Sequence, residues 1–146
     1  MDYLSEFGDS LKELMLEKDL TSVALSKAIK ISDSTIGGWK NGEHFITLSN
    51  ALKLADYFEC SLEFLFGLSD TRLDYIPHAC PPFYIRLKEI MKLQNISGYK
   101  ISIKDRVFSQ SQFYHWKDGK DPKIESLIKL AKYFDCTLDY LVGRDN

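Results

Sequence analysis

A row of polar side chains in the second half of the chain has the clearest capacity for specific binding. The segment SQSQFYHWKDGK begins with Ser109, Gln110, Ser111 and Gln112 and continues with Phe-Tyr-His-Trp. A Gln amide can form two hydrogen bonds at once with the edge of an adenine base, and a Ser hydroxyl can donate or accept. The row therefore suits recognition of an edge that carries a pattern of donors and acceptors. The alternative interpretation is a solvated helix start that Ser109 caps.

The elements around this row are predicted to be short helices. Apolar residues recur at helical spacing on both sides of it, and strand-like alternation persists nowhere in the chain. These apolar positions are Leu87, Ile90, Met91, Ile124, Leu127, Ile128 and Ala131. Ser97 and Ser109 are typical helix N-caps, and Asp118-Gly119 is typical of a turn after a helix. We therefore expect an all-α fold.

The same pattern occurs twice in the chain. FGDSLKELMLEKD from Phe7 aligns with FYIRLKEIMKLQN from Phe83, and KLADYFECSLEFLFG aligns with KLAKYFDCTLDYLVG, both at an offset of 76 residues. Between them, DSTIGGWKNG aligns with QSQFYHWKDG at an offset of 77. The second copy therefore gains one residue before its tryptophan and loses one after it. Twenty identities over about sixty positions indicate two copies of one domain.

The repeat predicts two domains, residues 1–70 and 83–146, joined by a linker at 71–82. The connecting segment LSDTRLDYIPHACPP contains three prolines, and Pro81-Pro82 cannot continue a helix.

The net charge of −2 conceals an asymmetry between the halves. Residues 1–70 hold 6 Lys and 12 Asp+Glu, a net of −6, whereas residues 77–146 hold 12 Lys+Arg and 8 Asp+Glu, a net of +4. Such a split indicates halves with different partners or roles, the alternative being chance variation of solvated surface charge.

Composition and chain start predict a cytoplasmic protein. The 45% of apolar residues can bury a core, and no apolar run approaches the roughly 20 residues that would cross a membrane. The start, MDYLSEFGDS, lacks the basic and apolar stretches of a signal peptide. Cys60, Cys80 and Cys136 are widely spaced and odd in number, which favours reduced, buried thiols over a disulfide framework.

Residues 22–40 of the first copy have the pattern of two short helices joined by a tight turn. Apolar side chains at Leu25, Ile29, Ile31, Ile36 and Trp39 allow the helices to pack on each other and on the rest of the domain. With Thr21 and Ser32 as N-caps, one side of the second helix stays outside. This is a helix-turn-helix pattern, whose second helix can lie in a major groove roughly 12 Å wide.

At this point the sequence resembles a known family. TSVALSKAIKISDSTIGGWKNG and SGYKISIKDRVFSQSQFYHWKDGK resemble the lambda-repressor and Cro-like (Xre-type) helix-turn-helix domain. The trailing (K/I)LAxYFxCxLxxLxG resembles the fourth and fifth helices of that family. The resemblance extends over nearly the whole chain, twice. It implies two tandem five-helix domains and DNA binding in a regulatory role.

The second copy is expected to be the main reader of DNA, because of its basic charge and of the residues at the positions that the resemblance indicates. The positions that approach DNA in the family are here Gly98, Tyr99, Ser109, Gln110, Ser111, Gln112 and His115. The cations suited to phosphates are Lys100, Lys117, Lys120 and Lys123.

The equivalent positions of the first copy leave its role open. They are Ser22, Ser32, Asp33, Ser34, Thr35 and Gly38, with Lys40 and Asn41 as backbone contacts. Asp33 would repel phosphate but could accept from cytosine N4, and Gly37-Gly38 leaves no side chains on a turn expected to be exposed. The sequence leaves open whether this copy binds DNA, mediates dimerisation or binds a protein.

Two positions depart from the family pattern. Lys30 stands where the turn usually has glycine, and the second copy has its extra residue near Asp105-Arg106-Val107. The turn of the second copy is therefore open to reshaping, and the sequence does not fix the angle of its second helix.

An enzyme is not expected. No phosphate-cradling glycine loop or Ser/His/Asp order is present, and no ligand set near His78 and Cys80 completes a zinc site. We predict no cofactor and no metal.

The sequence thus predicts a sequence-specific, repressor-like transcriptional regulator, a covalent pseudo-dimer on double-stranded DNA. If both copies read, their half-sites should lie roughly 10 bp apart or a multiple of that. The alternative is an antirepressor-like or antitoxin-like module whose acidic N-terminal copy docks a protein partner. Whether two chains form a homodimer stays open.

Overall fold

The computed structural model describes residues 3–70 and 79–144. The chain divides into two compact units, Met1–Pro77 (unit 1) and His78–Asn146 (unit 2). Within the described ranges the regular elements are all helices, and β-structure is limited to isolated bridge residues. This confirms the all-α prediction. The predicted linker falls partly on residues 71–78, outside the described residues, so its boundaries stay a prediction.

The described residues of unit 1, 3–70, form five helices, and a hydroxyl side chain caps four of them. The helices are α1 (Tyr3–Glu17), α2 (Ser22–Ile29), α3 (Asp33–Lys40), α4 (Leu48–Phe58) and α5 (Leu62–Leu65). The caps of α2 to α5 are Thr21, Ser32, Thr47 and Ser61, each accepting from a backbone N–H three residues later. Each cap satisfies a donor that the helix itself leaves unpaired. The predicted caps at Thr21 and Ser32 are confirmed.

Residues 79–144, the described part of unit 2, form four α-helices and one π-helical segment. The elements are α6 (Phe83–Leu93), the π-segment (Lys100–Lys104), α7 (Gln110–Lys117), α8 (Ile124–Phe134) and α9 (Leu138–Leu141). Ser97 accepts from the backbone N–H of Lys100 at 3.0 Å, so the predicted cap is present. The prediction of an ordinary α-helix after this cap is wrong. Only residues 98–99 are α-helical, and the π-segment follows them directly.

A π-turn forms the end of the second helical stretch of unit 2. The backbone N–H of Asp105 bonds the carbonyl of Lys100 at 2.8 Å, a bond that spans five residues. Ile101 stays fully buried, as its counterpart Leu25 is in unit 1.

The extra residue of the second copy lies after this π-turn. Arg106 is in the left-handed region with φ 51°, as Lys30 is with φ 59° at the offset of 76. The N-caps that follow, Ser32 and Ser109, are at the offset of 77. The turn that the sequence left open to reshaping therefore gains its residue between Arg106 and Ser109.

Each unit buries its tryptophan against its first helix. The ring centroids of Phe7 and Trp39 are 6.0 Å apart in unit 1, and those of Phe83 and Trp116 are 5.4 Å apart in unit 2. Both tryptophans are core residues, which confirms the packing predicted for Trp39. Of the predicted buried thiols, Cys60 is buried, whereas Cys80 and Cys136 are only half-buried.

The first helix of each unit also bonds the last helix at the same place. Ser10 Oγ donates to the carbonyl of Phe64 at 3.1 Å, and Arg86 donates through Nε and a terminal nitrogen to the carbonyl of Tyr140 at 3.1 and 2.8 Å. The residues of both pairs are 54 apart in sequence. The two halves therefore share a tertiary contact at aligned positions, made by different donors.

Among the described residues, no helix is both long enough and apolar enough to cross a membrane.

Candidate nucleic-acid interface

The helix pair α2–α3 of unit 1 has a tight left-handed turn between its members. Lys30 follows α2 with φ 59° and ψ 45°, and its backbone N–H bonds the carbonyl of Ser26 at 2.8 Å. Ile36 and Trp39 then bury one side of α3, while Asp33 and Ser34 are exposed. The turn thus takes the conformation that glycine favours, although a lysine occupies it. The result is a helix-turn-helix with a polar outer face.

Hydroxyl groups cluster at the start of α3. Ser32 Oγ accepts from the backbone N–H of Thr35 at 3.2 Å and lies 2.7 Å from Thr35 Oγ1 and 3.5 Å from Ser34 Oγ. At the other end of the helix, Lys40 Nζ donates to Ser22 Oγ at 3.3 Å. The structure therefore joins Ser22 with Lys40 and Ser32 with Thr35, while the Asp33 carboxylate and Asn41 are exposed.

The two glycines of α3 lie in different surroundings. Gly38 is buried, and a Cβ there would lie 1.8 Å from His44 Cδ2. A Cβ at Gly37 would meet nothing within 4 Å. The expectation of an exposed Gly-Gly turn is wrong for Gly38, because His44 from the following loop covers it. Gly37 leaves bare helix backbone on the outer face.

The negative charge of unit 1 lies outside its helix-turn-helix. Residues 21–42 hold three Lys and one Asp, a net of +2. The remaining residues of 1–70 hold three Lys and eleven Asp+Glu, a net of −8. Electrostatic repulsion from a polyanion therefore applies to the other elements of the unit more than to α3.

In unit 2, the polar row at the start of α7 divides into bonded and unbonded side chains. Gln112 Oε1 accepts from the backbone N–H of Ser109 at 2.9 Å, and Ser109 Oγ accepts from that of Gln112 at 3.1 Å. Gln112 Nε2 also lies 3.4 Å from Ser126 Oγ. Gln110 and Ser111 are exposed and form no side-chain hydrogen bond in the described part of the chain. The free hydrogen-bonding edge of α7 is therefore centred on those two residues.

Tyr114 belongs to this exposed face and was missed by the sequence analysis. Its side chain is 64% exposed, and its ring centroid lies 5.9 Å from that of His115. The signal was present, because Tyr114 follows Gln110 by four residues and Ser111 by three, the spacing of neighbours on one helix face.

A polar cluster holds the π-segment of unit 2. Asp105 Oδ2 accepts from Lys100 Nζ at 2.8 Å and from the Tyr133 hydroxyl at 2.6 Å. The hydrogen bonds from Lys100 and then Tyr133 lower the pKa of Asp105. The hydrogen bond to Asp105 raises the pKa of Lys100. The pKa of Tyr133 is also raised, mainly by partial desolvation and secondly by its hydrogen bond to Asp105. Lys100, predicted as a phosphate contact, is thus ion-paired with Asp105, whose counterpart in unit 1 is the buried Ile29.

The other predicted contacts of unit 2 lie on its surface. Tyr99 is 68% exposed, and Lys117, Lys120 and Lys123 are exposed.

Metal coordination finds no support in the described ranges. Within residues 3–70 and 79–144 no group of three His, Cys, Asp or Glu side chains could hold a metal ion. His78, weighed above as a zinc ligand, lies outside the described residues.

The match to a protein family concerns the first half of the chain. The family model described as "Helix-turn-helix" matches residues 11–65, which run from α1 to the end of α5. The HTH-type transcriptional regulator PrpR of Mycobacterium tuberculosis is 36% identical over 66 residues. That stretch is 45% of this chain and 14% of the length of the relative. No solved structure gives a significant match. Residues 11–65 therefore match the helix-turn-helix family at the segment where unit 1 forms its capped α2–α3 pair.

Proposed function

We propose that this chain is a sequence-specific DNA-binding transcriptional regulator. The observation that carries the proposal is the α2–α3 pair of unit 1, which lies inside the matched segment and has a polar outer face. The net charge of +2 over residues 21–42 supports contact with phosphates. The similarity of one segment to a protein named as a transcriptional regulator supports the same role.

We further propose that unit 2 is a second, diverged copy of the same domain. The aligned offsets, the two buried tryptophans and the matching bonds from Ser10 and Arg86 to the last helix support this relation. Helix α7 is then the counterpart of α3, and the two units, joined in one chain, form a covalent pseudo-dimer. Their half-sites then lie roughly 10 bp apart or a multiple of that.

The proposed contacts follow from exposure and chemistry. In unit 1, Asp33 accepts a hydrogen bond from cytosine N4, and Ser34 donates to or accepts from a base edge. Lys40 and Asn41 bind the sugar-phosphate backbone of the DNA. In unit 2, Gln110 pairs with adenine N6 and N7, and Lys117 and Lys120 bind phosphates. The basic charge of unit 2 favours it as the stronger contributor to affinity. We propose a repressor-like mode, in which occupancy of the site excludes other proteins from it.

Selection of sites from a random duplex pool by the full chain, at one near-physiological salt concentration, tests this proposal. Two unlike half-sites at helical-turn spacing are expected. A single short half-site would contradict the pseudo-dimer and leave one reading unit. No enrichment of any sequence would contradict the regulator itself.

A second candidate function follows from the acidic surface of unit 1. Glu6, Asp9, Glu13 and Glu17 are exposed along α1 at spacings of three and four residues, which places them on one helix face. That face suits a basic protein partner better than DNA. A selected site that changes when Gln110 is replaced, but not when Ser34 is replaced, would favour this docking role for unit 1.

A further inference from the structure

The centre of the exposed face differs between the two candidate recognition helices. Gly37 of α3 corresponds to Tyr114 of α7, because each lies two residues before the buried tryptophan of its helix. A Cβ at position 37 would meet nothing within 4 Å, whereas the Tyr114 side chain is 64% exposed. One helix presents bare backbone at the point where the other presents an aromatic ring.

The described part of unit 1 gives no internal reason for glycine at position 37. The position is helical, a Cβ there is unobstructed, and glycine is among the poorest helix formers. Gly38 differs, since His44 occupies the space its side chain would need. A glycine that its own fold does not require leaves room for an outside group to reach the helix backbone.

We propose that Gly37 and Tyr114 set different base preferences in the two half-sites, with Gly37 admitting a thymine methyl group against the α3 backbone. The inference rests on the proposed DNA-binding function and names the residues that make its two readers unlike. The thymine methyl is the one bulky apolar group on the major-groove edges. A helix without a side chain at this point lets that methyl approach the backbone between Asp33 and Lys40.

Tyr114 has the opposite effect on α7. Its ring holds the helix away from the base pairs at this point and offers an aromatic face and a hydroxyl instead. The half-sites are then not interchangeable, and the chain binds its site in one orientation.

The test uses the full chain and the duplex that it selects from a random pool, at one salt concentration. Gly37→Ala should raise the thermal unfolding midpoint and lower the affinity about tenfold, the usual effect of one mismatched base pair. Replacing the contacted thymine by uracil removes only the methyl group. This replacement should weaken binding by the unmodified chain and leave binding by Gly37→Ala almost unchanged.

The second variant and a control complete the test. Tyr114→Ala should change base preference in the other half-site only. Leu16→Ala, at an 80% exposed position of α1, should change neither stability nor affinity. If the unmodified chain selects a sequence, but Gly37→Ala and Tyr114→Ala have the same affinity and base preference as the unmodified chain, this inference is overturned and the proposed function stands. If the unmodified chain selects no sequence, the proposed function itself fails.

Discussion

Gln112 is bonded to Ser109 in both directions: each side chain accepts from the backbone N–H of the other residue, at 2.9 and 3.1 Å. This capping box fixes the first turn of α7. The Gln112 side chain, which the sequence analysis predicted to contact a base, is therefore already hydrogen-bonded within the protein. The two glutamines of the row, two residues apart, have separate roles.

The two glutamines should respond differently to replacement. Gln110→Ala removes an exposed, unbonded amide, so we expect altered base preference and an unchanged unfolding free energy. Gln112→Ala removes one bond of the capping box, so we expect a loss of about 0.5–2 kcal/mol in unfolding free energy. Urea unfolding and site selection on both variants check this. Equal loss of stability in both variants would contradict the assignment.

The lysines that follow α7 should determine the salt dependence of DNA binding. Lys117→Ala or Lys120→Ala should weaken binding to all sequences alike and reduce the slope of log K against log salt by about one. Lys132→Ala, an exposed position in the last turn of α8, is the control for loss of a charge. Binding constants at four or more salt concentrations provide the slopes. An effect of Lys132→Ala as large as that of Lys117→Ala would show that net charge alone acts.

The Asp105 cluster should make unit 2 sensitive to acid. Because its bonds lower the pKa of Asp105, the carboxylate stabilises the fold above its ordinary unfolded pKa. That contribution is lost as pH falls through the lowered folded value. Tyr133→Phe and Asp105→Asn should both flatten the acid side of the curve of unfolding midpoint against pH.

Lys100 contributes to the same cluster with the opposite sign. Its pKa is raised, so its stabilisation is complete below the ordinary lysine pKa and disappears as pH rises through the raised value.

The control for the acid sensitivity expected of Asp105 is Asp118→Asn, because the exposed Asp118 carboxylate forms no hydrogen bond or ion pair within the described ranges. If Asp118→Asn flattens the acid side as much as Asp105→Asn, the cluster is not the cause.

Adding one methyl group at two glycines of unit 1 should have opposite effects. A Cβ at Gly8 would lie 2.8 Å from the carbonyl oxygen of Lys40 and 2.9 Å from that of Trp39, so α1 and α3 would have to move apart. We expect Gly8→Ala to lower the unfolding free energy by about 1–3 kcal/mol. Gly37→Ala meets open space and should raise it by about 0.5–1 kcal/mol. Urea midpoints at unchanged slope measure both, and a shift of the same sign in the two variants would contradict the packing described for α1 and α3.

The turn residue Lys30 offers a stabilising change. Its φ of 59° is a conformation that glycine adopts without strain. Lys30→Gly should therefore raise the unfolding free energy, by about 1 kcal/mol. Lys27→Gly, within α2, should lower it by about the same amount. A loss of stability in Lys30→Gly would show that the lysine side chain itself contributes to the turn.

Local chemistry made much of the fold predictable from the sequence. The caps at Thr21, Ser32, Ser97 and Ser109 depend on one hydroxyl and a backbone N–H three residues later, so spacing alone identifies them. The shift in repeat offset located the insertion of unit 2 in the turn before α7, although it did not predict the π-segment that precedes this turn. The role of Gln112 was also visible, because Ser109 and Gln112 have the spacing of a capping box.

Contacts between distant residues could not be predicted in the same way. Asp105 and Tyr133 are 28 residues apart and meet only after α8 packs. The approach of α1 to α3 at Gly8 depends on backbone distances, and its counterpart Tyr84 instead places a ring 5.1 Å from that of Phe113. These contacts position the two candidate recognition helices, so the sequence identified the polar residues better than it identified their geometry.

Sequence-specific recognition is tested most directly by the affinity of the full chain for its selected duplex and for a scrambled duplex of equal length, at the same near-physiological salt. We expect binding to the selected duplex to be tighter by about a thousandfold or more, the usual margin of specific over non-specific binding. Equal affinity for the two duplexes would contradict sequence-specific recognition by α3 and α7.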